Sequence, residues 1–388
     1  MNLLPLSFIK KHWFAALEKL EFGTLDFTDP YGVTHRYVGK QEGPAATFIM
    51  KEWSVLVRLI ARGDIGLGED YIEGRWDTDS IEHLISLFLL NIQHLEKFAH
   101  GNMFNRAIFG LYNYILRRNS RRGSRSNIKS HYDVGNDFYQ LWLDETMTYS
   151  SALYDNAATL ADAQRNKYRR ILSKAGQDKA DILEIGCGWG GFAEEAARAG
   201  HHATGITVSP SQHRFATARL EKKADIRLQD YRDTRGVFDM IVSIEMFEAV
   251  GRRYWPNYFD SIRKNLKRGG CAVIQTITVR DDHFEDYCNR SDFIRHYVFP
   301  GGMLPSISSF CAEAEKAGLA TREIFAFGQD YARTLREWLI RFDAKRELIL
   351  SMGYSEGFIR NWRFYLGMCA AAFSVGRTNV VQVELRHA

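Results

Sequence analysis

The segment ILEIGCGWGGF, at residues 182–192, is rich in glycine. Four glycines follow its apolar start: Gly186, Gly188, Gly190 and Gly191. The next stretch, FAEEAARAG, is rich in alanine and glutamate, which favour helix. The pattern therefore predicts a strand, a glycine turn and a helix. Glycines at such a turn let the backbone approach a ligand closely, because no side chain stands in the way.

Two classes of nucleoside ligand fit this turn. Three of the glycines have the GxGxxG spacing of a dinucleotide site, in which a pyrophosphate lies at the helix N-terminus. The carboxylate of Glu184 within the strand favours S-adenosylmethionine instead, because this compound has no phosphate and carries ammonium and sulfonium charges. Further along the chain, Asp230 and Tyr231 offer an acceptor for an adenine amino group and a ring to stack on it. The residues together favour S-adenosylmethionine over a nicotinamide cofactor.

Strand and helix patterns alternate from about residue 160 onward. After the first strand, further strand patterns occur at 202–209, 224–231, 238–251 and 270–279. This alternation predicts a mostly parallel sheet with helices on both faces. Ligands of such sheets lie beyond the carboxyl ends of the strands. We therefore expect an α/β, Rossmann-like fold for this region.

The chain has 388 residues, enough for two or three domains. Residues 1–116 mix strand-like and helical patterns and predict a smaller N-terminal α+β domain. Residues 117–129 carry six Lys/Arg and no acidic residue, and we expect a basic linker there. The linker is either a solvated connection or an anchor on an anionic membrane, where each basic residue contributes about 1 kcal/mol. Residues 130–388 are then the catalytic domain.

Composition narrows the class of protein. Hydrophobic residues make up 45% and charged residues 25% of the chain, as in ordinary globular proteins. A net charge of +4 is too small to indicate a nucleic-acid partner. The five cysteines lack CxxC spacing, so neither a metal site nor a disulfide framework is predicted. No apolar run has the length of a signal peptide core or a membrane span, so we expect a cytoplasmic protein.

Several longer motifs occur in a fixed order. They are HYDVGNDFYQLWLDETMTYSSALY at 131–154, LEIGCGWGG at 183–191, GITVSPSQ at 205–212, QDYRD at 229–233, MFEAVG at 246–251 and FPGGMLPS at 299–306. In this order the chain resembles the cyclopropane-fatty-acyl-phospholipid synthase family, which includes the mycolic acid methyltransferases. Residues 67–87 are also similar to the extra domain of the bacterial phospholipid enzymes. That likeness implies that residues 1–116 are an accessory, lipid-associated domain.

The resemblance implies a Rossmann-like class I methyltransferase domain, which transfers a methyl group from S-adenosylmethionine to the double bond of an unsaturated acyl chain in a membrane phospholipid. It also implies a peripheral enzyme at the inner face of the membrane. The residues around the glycine turn then share one role, which is to bind the cofactor. With Glu184 they are Tyr149, Ser150, Gly186, Gly188, Gly190, Thr207, Gln212, Asp230 and Tyr231.

Relatives bind bicarbonate as the base that removes a proton after methyl transfer. The resemblance assigns its pocket to Glu248, the backbone of Ile277 and Tyr331, which match the family. Two positions depart from the pattern, because Ser151 replaces a cysteine and Gln275 replaces a histidine. Serine and glutamine still form hydrogen bonds, so bicarbonate stays an open cofactor of the altered pocket. All five residues are expected to be catalytic.

Two products stay open. Loss of a proton directly from the new methyl group closes a cyclopropane ring. The motif MFEAVG, with alanine in place of the family's histidine, indicates instead a methyl- or methylene-branched chain, which a separate reductase would saturate.

Other classes of protein are supported by only one feature of the sequence each. Glu245 and Glu248 stand three residues apart like a hydrolase's carboxylate pair, but no other residue supports hydrolysis. A small-molecule N-methyltransferase and a non-catalytic lipid-binding relative are the alternatives, and a homodimer stays open.

Overall fold

The computed structural model describes residues 5–99, 134–176 and 178–388, and the predicted basic linker at 117–129 lies outside these ranges. The N-terminal elements in chain order are α1 (Leu6–Leu17), β1 (Phe22–Thr28), β2 (Thr34–Val38), β3 (Gln41–Met50), α2 (Ser54–Arg62), α3 (Asp64–Ile72), β4 (Trp76–Asp77), α4 (Ile81–Leu90) and α5 (Ile92–Ala99). The helices that follow are α6 (Asn136–Gln140), α7 (Leu160–Leu172), α8 (Gly191–Arg198), α9 (Pro210–Leu220), α10 (Trp255–Asn265), α11 (Asp281–Asn289), α12 (Ile307–Lys316), α13 (Gly328–Ala344), α14 (Arg346–Ser351) and α15 (Glu356–Ser374). The remaining strands are β5 (Asp181–Ile185), β6 (His202–Thr207), β7 (Asp225–Leu228), β8 (Phe238–Ile244), β9 (Leu266–Val279), β10 (Leu319–Ala326) and β11 (Thr378–His387).

The chain forms two compact units, and the first has the predicted α+β character. Its sheet has the strand order β2-β1-β3-β4, in which β1 pairs antiparallel with β2 and parallel with β3. Aromatic rings fill the core, where Phe48 lies 5.3 Å from Trp76 and 6.0 Å from Trp13 between ring centroids. Residues 289–298 and 343–377, which the sequence analysis placed in the catalytic region, also belong to this unit.

The second unit confirms the predicted α/β fold. Its sheet has the order β10-β11-β9-β8-β5-β6-β7. The five strands from β9 to β7 are parallel to one another, whereas β11 and β10 pair antiparallel at the other end. Chain order changes direction between β5 and β8, and a ligand crevice forms at such a switch point in α/β sheets.

One predicted strand is shorter than expected. The pattern over 238–251 predicted a strand, but β8 ends at Ile244 and Phe247–Ala249 forms a 3-10 turn. The cause is Glu245, whose φ of 52° turns the chain out of the extended conformation. Within the described ranges, no helix is long and apolar enough to cross a membrane.

Candidate active site

The glycine turn connects β5 to α8. Gly186, Gly188 and Gly190 have φ angles of 85°, 53° and 87°, which other residues adopt only with strain. A Cβ atom at Gly186 would lie 2.7 Å from Met246 Cγ, and one at Gly190 would lie 2.9 Å from Leu220 Cδ1. A Cβ atom at Gly188 would meet nothing within 4 Å. Gly186 and Gly190 therefore permit close packing, whereas Gly188 faces open space that a ligand can fill.

Two buried charged groups lie close to this turn. Glu184 on β5 is 3% exposed, and its Oε2 atom has no hydrogen-bond partner among the described residues. Burial raises the pKa of this carboxyl to about 8, while the nearby charge of Lys167 lowers it. An unpaired buried carboxylate oxygen is costly, so a cationic group such as the ammonium of S-adenosylmethionine fits at Glu184.

Lys167 is a residue that the sequence analysis missed. Its Nζ donates to Ser150 Oγ over 2.6 Å, and burial lowers the pKa of its ammonium to about 7. Lys167 lies on the buried face of α7, together with Ala163 and Ile171. The three- and four-residue spacing of that face is visible in the sequence, and a lysine on it is a sign of function.

The next strand end brings together the predicted pair Thr207 and Gln212. Thr207 is the last residue of β6, and its Oγ1 donates to Gln212 Oε1 over 3.0 Å. Ser209 caps α9, because its Oγ accepts a hydrogen bond from the backbone N–H of Gln212. Both predicted side chains are buried beside β5, where the cofactor was expected.

Asp230 and Tyr231 follow β7, which ends at Leu228 and is shorter than the strand pattern over 224–231. Both carboxylate oxygens of Asp230 accept hydrogen bonds from the Arg232 guanidinium, at 2.8 and 2.6 Å. The Tyr231 ring packs edge-on against Tyr258 at 5.5 Å, and burial raises the pKa of Tyr231 to about 12. Arg232 therefore fixes the carboxylate that was expected to accept the adenine amino group.

Aromatic rings surround the predicted cofactor residue Tyr149. Its ring centroid lies 5.2 Å from Trp338, 5.4 Å from Tyr139 and 5.7 Å from Trp142. Trp338 follows Tyr331 by seven residues on α13, so the two share a helix face. The rings line an apolar environment that suits a cationic transition state.

Three predicted catalytic residues meet at Glu245, which the sequence analysis left outside the site. Glu245 Oε1 accepts hydrogen bonds from the backbone N–H of Ser151 at 2.9 Å and from Gln275 Nε2 at 2.8 Å. Its Oε2 accepts one from the Tyr331 hydroxyl at 2.6 Å. Ser151 contributes its backbone here, since its hydroxyl donates to the Ala152 carbonyl. The signal in the sequence was the position of Glu245 directly after a parallel strand.

The predicted glutamate Glu248 binds a separate set of donors. Its Oε1 accepts hydrogen bonds from the backbone N–H of Ile277 at 2.6 Å and from Thr276 Oγ1 at 3.0 Å. Its Oε2 has no hydrogen-bond partner within the described residues. Burial, followed by the neighbouring charge of Glu245, raises the pKa of Glu248 to about 8.

A second layer orients the Gln275 amide. Gln275 Oε1 accepts a hydrogen bond from Gln382 Nε2 at 3.0 Å, and Gln382 Oε1 accepts one from Arg170 Nη1 at 3.2 Å. Because arginine only donates, this chain directs the Gln275 NH₂ group toward Glu245. Gln382 lies on β11 and had no motif to mark it.

The geometry separates the two expected cofactors. Open space at Gly188 and the unpaired oxygen of Glu184 fit S-adenosylmethionine. Bicarbonate does not fit the donors expected for it, because Glu245 takes those of Ser151, Gln275 and Tyr331 and Glu248 takes that of Ile277.

The fold and this site define a class I S-adenosylmethionine-dependent methyltransferase. The family model described as mycolic acid cyclopropane synthetase matches residues 119–383, and the chain belongs to this family. The relatives support S-adenosylmethionine-dependent methylation or cyclopropanation of lipid acyl chains as the shared activity.

Two curated relatives and one solved structure illustrate the range of enzymes to which this chain is similar. The chain is 34% identical over 363 residues to the tuberculostearic acid methyltransferase UfaA1 of Mycobacterium tuberculosis, covering 89% of this chain and 84% of that protein. It is also 34% identical over 329 residues to the cyclopropane-fatty-acyl-phospholipid synthase of Escherichia coli K12, covering 84% of each. The mycolic acid cyclopropane synthase CmaA1, complexed with SAH and CTAB, has a TM-score of 0.63 at 28% identity and covers 67% of this chain and 97% of that one.

Proposed function

We propose that this enzyme methylates the double bond of an unsaturated acyl chain in a membrane phospholipid and releases a methyl- or methylene-branched chain. The observation that carries the proposal is the carboxylate of Glu245, which takes three of the donors that the resemblance assigned to a bicarbonate base. When the group that removes the proton differs in position, the proton that is lost and the product can differ as well. The name of the UfaA1 relative, a methyltransferase, agrees with this product class.

The protein's own residues have three tasks in such a reaction. S-adenosylmethionine, when bound, supplies an electrophilic methyl group. Glu184 and the open backbone at Gly188 are suited to bind and orient it, which is where much of the rate enhancement of a two-substrate reaction arises. The rings of Tyr149 and Tyr331, which pack against the buried Trp338, can stabilise a carbocation without reacting with it. The hydrogen bond from Tyr331 to Glu245 increases the electron density of that ring.

The lipid substrate and a peripheral membrane location belong to the same proposal. The cyclopropane-fatty-acyl-phospholipid synthase of Escherichia coli acts on phospholipid by name and covers 84% of this chain, so the shared region extends into residues 1–116. The same relative favours the second candidate, a cyclopropane synthase.

Isotope labelling separates the two products. Cells that make unsaturated phospholipid would express the chain and receive methionine with a CD₃ group. Loss of a chain proton keeps all three deuterium atoms in the lipid, whereas ring closure and methylene formation each keep two. Proton NMR of unlabelled product then distinguishes shielded ring protons from vinylic methylene protons. We expect branched product, and a product that shows only ring protons and keeps two deuterium atoms would establish the cyclopropane synthase instead.

A further inference from the structure

We propose that the side-chain carboxylate of Glu245 is the group that accepts the proton, so that this enzyme carries its base within the chain and needs no bicarbonate. The inference rests on the proposed function, because it names a catalytic residue of that reaction. Its basis is the convergence of Ser151 N–H, Gln275 Nε2 and Tyr331 OH on this carboxylate.

The hydrogen bonds of Glu245 leave one acceptor position open. An ionised carboxylate accepts about four hydrogen bonds, two at each oxygen. Oε1 uses both of its positions, for Ser151 and Gln275, whereas Oε2 accepts only from Tyr331 among the described residues. The remaining lone pair of Oε2 lies beside the Tyr331 hydroxyl. Glu245 is only partly buried, as a residue that contacts a bound substrate must be.

The two glutamates, Glu245 and Glu248, differ in the groups that stabilise their ionised forms. Burial raises the pKa of Glu245 above its ordinary value, although the charge of Lys167 and the hydrogen bonds from Tyr331, Ser151 and Gln275 oppose this rise. Burial and the charge of Glu245 together raise the pKa of Glu248 to about 8. Two close carboxylates in one site do not both ionise easily. Three donors bind the Glu245 carboxylate, whereas Glu248 Oε2 has no partner among the described residues, so hydrogen bonding favours the ionised form at Glu245.

The backbone of Glu245 is consistent with a functional position. Its φ of 52° lies in the left-handed region, where residues other than glycine are strained. Such strain costs about 1–3 kcal/mol and is frequent at active sites. The strained turn places the carboxylate at the carboxyl end of β8, next to Met246, whose side chain packs against the cofactor turn at Gly186.

The proposed step conserves atoms and electrons. Methyl transfer breaks the S–CH₃ bond, whose electron pair stays on the sulfur, and uses the alkene π pair for the new C–C bond, so that a carbocation forms on the adjacent chain carbon. A C–H bond next to the cation then breaks. Its electron pair forms the new double bond, and its proton goes to Glu245 Oε2. The neutral carboxylic acid returns this proton to solvent before the next turnover.

Bicarbonate binding tests the inference without any methyl transfer. Titration of ¹³C-bicarbonate followed by ¹³C NMR should show no saturable line broadening with the wild-type protein. Glu245→Gly should acquire it, because it frees the donors of Ser151, Gln275 and Tyr331, and glycine adopts the positive φ without strain. Saturable binding of bicarbonate to the wild-type protein would overturn the inference.

Turnover on unsaturated phospholipid vesicles is the second measurement. Wild-type turnover should not change when dissolved carbon dioxide is removed. Glu245→Gln, which keeps the shape but not the base, should lose about a hundredfold or more, the usual contribution of a general base. Bicarbonate or formate should partly restore Glu245→Gly but not Glu245→Gln. Unchanged turnover of Glu245→Gln would refute the assignment.

The outcomes separate this inference from the proposed function. If the wild-type enzyme forms only cyclopropane yet neither binds nor needs bicarbonate, the product proposal fails and the role of Glu245 stands. If it forms branched lipid only when bicarbonate is present, the product proposal stands and the role of Glu245 fails. Cofactor binding to both Glu245 variants, measured by thermal shift with S-adenosylmethionine, shows that they are folded.

Discussion

At the scale of single residues, several ionisable side chains of this site are buried, where their charged forms cost free energy. Burial shifts the pKa of Glu184, Lys167 and Glu248 toward the neutral form of each side chain. Groups shifted in this way are frequent at functional sites, because catalysis and binding need charges that water does not already satisfy. The cofactor-free protein should therefore be less stable than its fold would allow, and ligands should restore part of that stability.

Glu184 gives this argument a measurable form. Its pKa is about 8 in the folded protein against an ordinary value of 4.5, so the folded state binds a proton that the unfolded chain releases. The stabilisation is complete below the ordinary value and is lost as pH rises through about 8. Glu184→Gln should make the fall in unfolding free energy over this pH range shallower. Over this pH range, the wild-type protein should lose at least about 1.4 kcal/mol more unfolding free energy than Glu184→Gln. That amount is the equivalent of a tenfold change in proton affinity.

Urea unfolding of the cofactor-free protein over this pH range is the measurement. Glu315→Gln, at an exposed carboxylate on α12, is the matched control and should keep the wild-type slope. Equal slopes for wild type and Glu184→Gln would mean that the Glu184 carboxyl is not protonated in the folded state.

At the scale of elements, two glycines of the turn have different roles: Gly190 is needed for packing and Gly188 for ligand binding. Gly188 and Gly190 both have positive φ, so alanine at either position carries a backbone cost of roughly 1–2 kcal/mol. Only Gly190→Ala also collides with Leu220. We expect Gly190→Ala to lose more thermal stability, and Gly188→Ala to lose more affinity for S-adenosylmethionine. Thermal melts with and without cofactor test both, and equal loss of affinity in the two variants would contradict a ligand at Gly188.

The same scale shows what the sequence could predict. Strand and helix periodicity, with the rule that ligands lie at strand ends, predicted the parallel sheet and the glycine turn. It could not predict that Glu245 turns out of β8, because a single positive φ in a glutamate follows from tertiary contacts and not from local preference. Gln382 was missed because its partner Gln275 lies 107 residues away in the chain, whereas the buried position of Lys167 could be inferred from the residue spacing of α7.

At the scale of the whole molecule, the family model covers 119–383, which includes most of the predicted basic linker. The six basic residues of 117–129 lie outside the described residues, so their part in lipid binding remains a proposal from charge alone. Phospholipid headgroups of an anionic membrane are the partner that such a charge would recognise.

Neutralising part of this charge tests the membrane proposal. Sedimentation with phosphatidylglycerol vesicles should weaken when glutamine replaces Arg117, Arg118, Arg121 and Arg122. At about 1 kcal/mol for each basic residue near the surface, the loss should exceed a hundredfold in affinity at low salt. Wild-type binding should also fall at ~0.15 M salt, which screens exposed charges beyond about 8 Å.

A control with the same change of charge replaces four exposed basic residues of the second unit: Lys222, Lys223, Arg268 and Arg322. The control should bind vesicles more tightly than the linker variant, because its basic segment is intact. Equal binding by the two variants would make residues 117–129 a plain connection and move the lipid contact elsewhere.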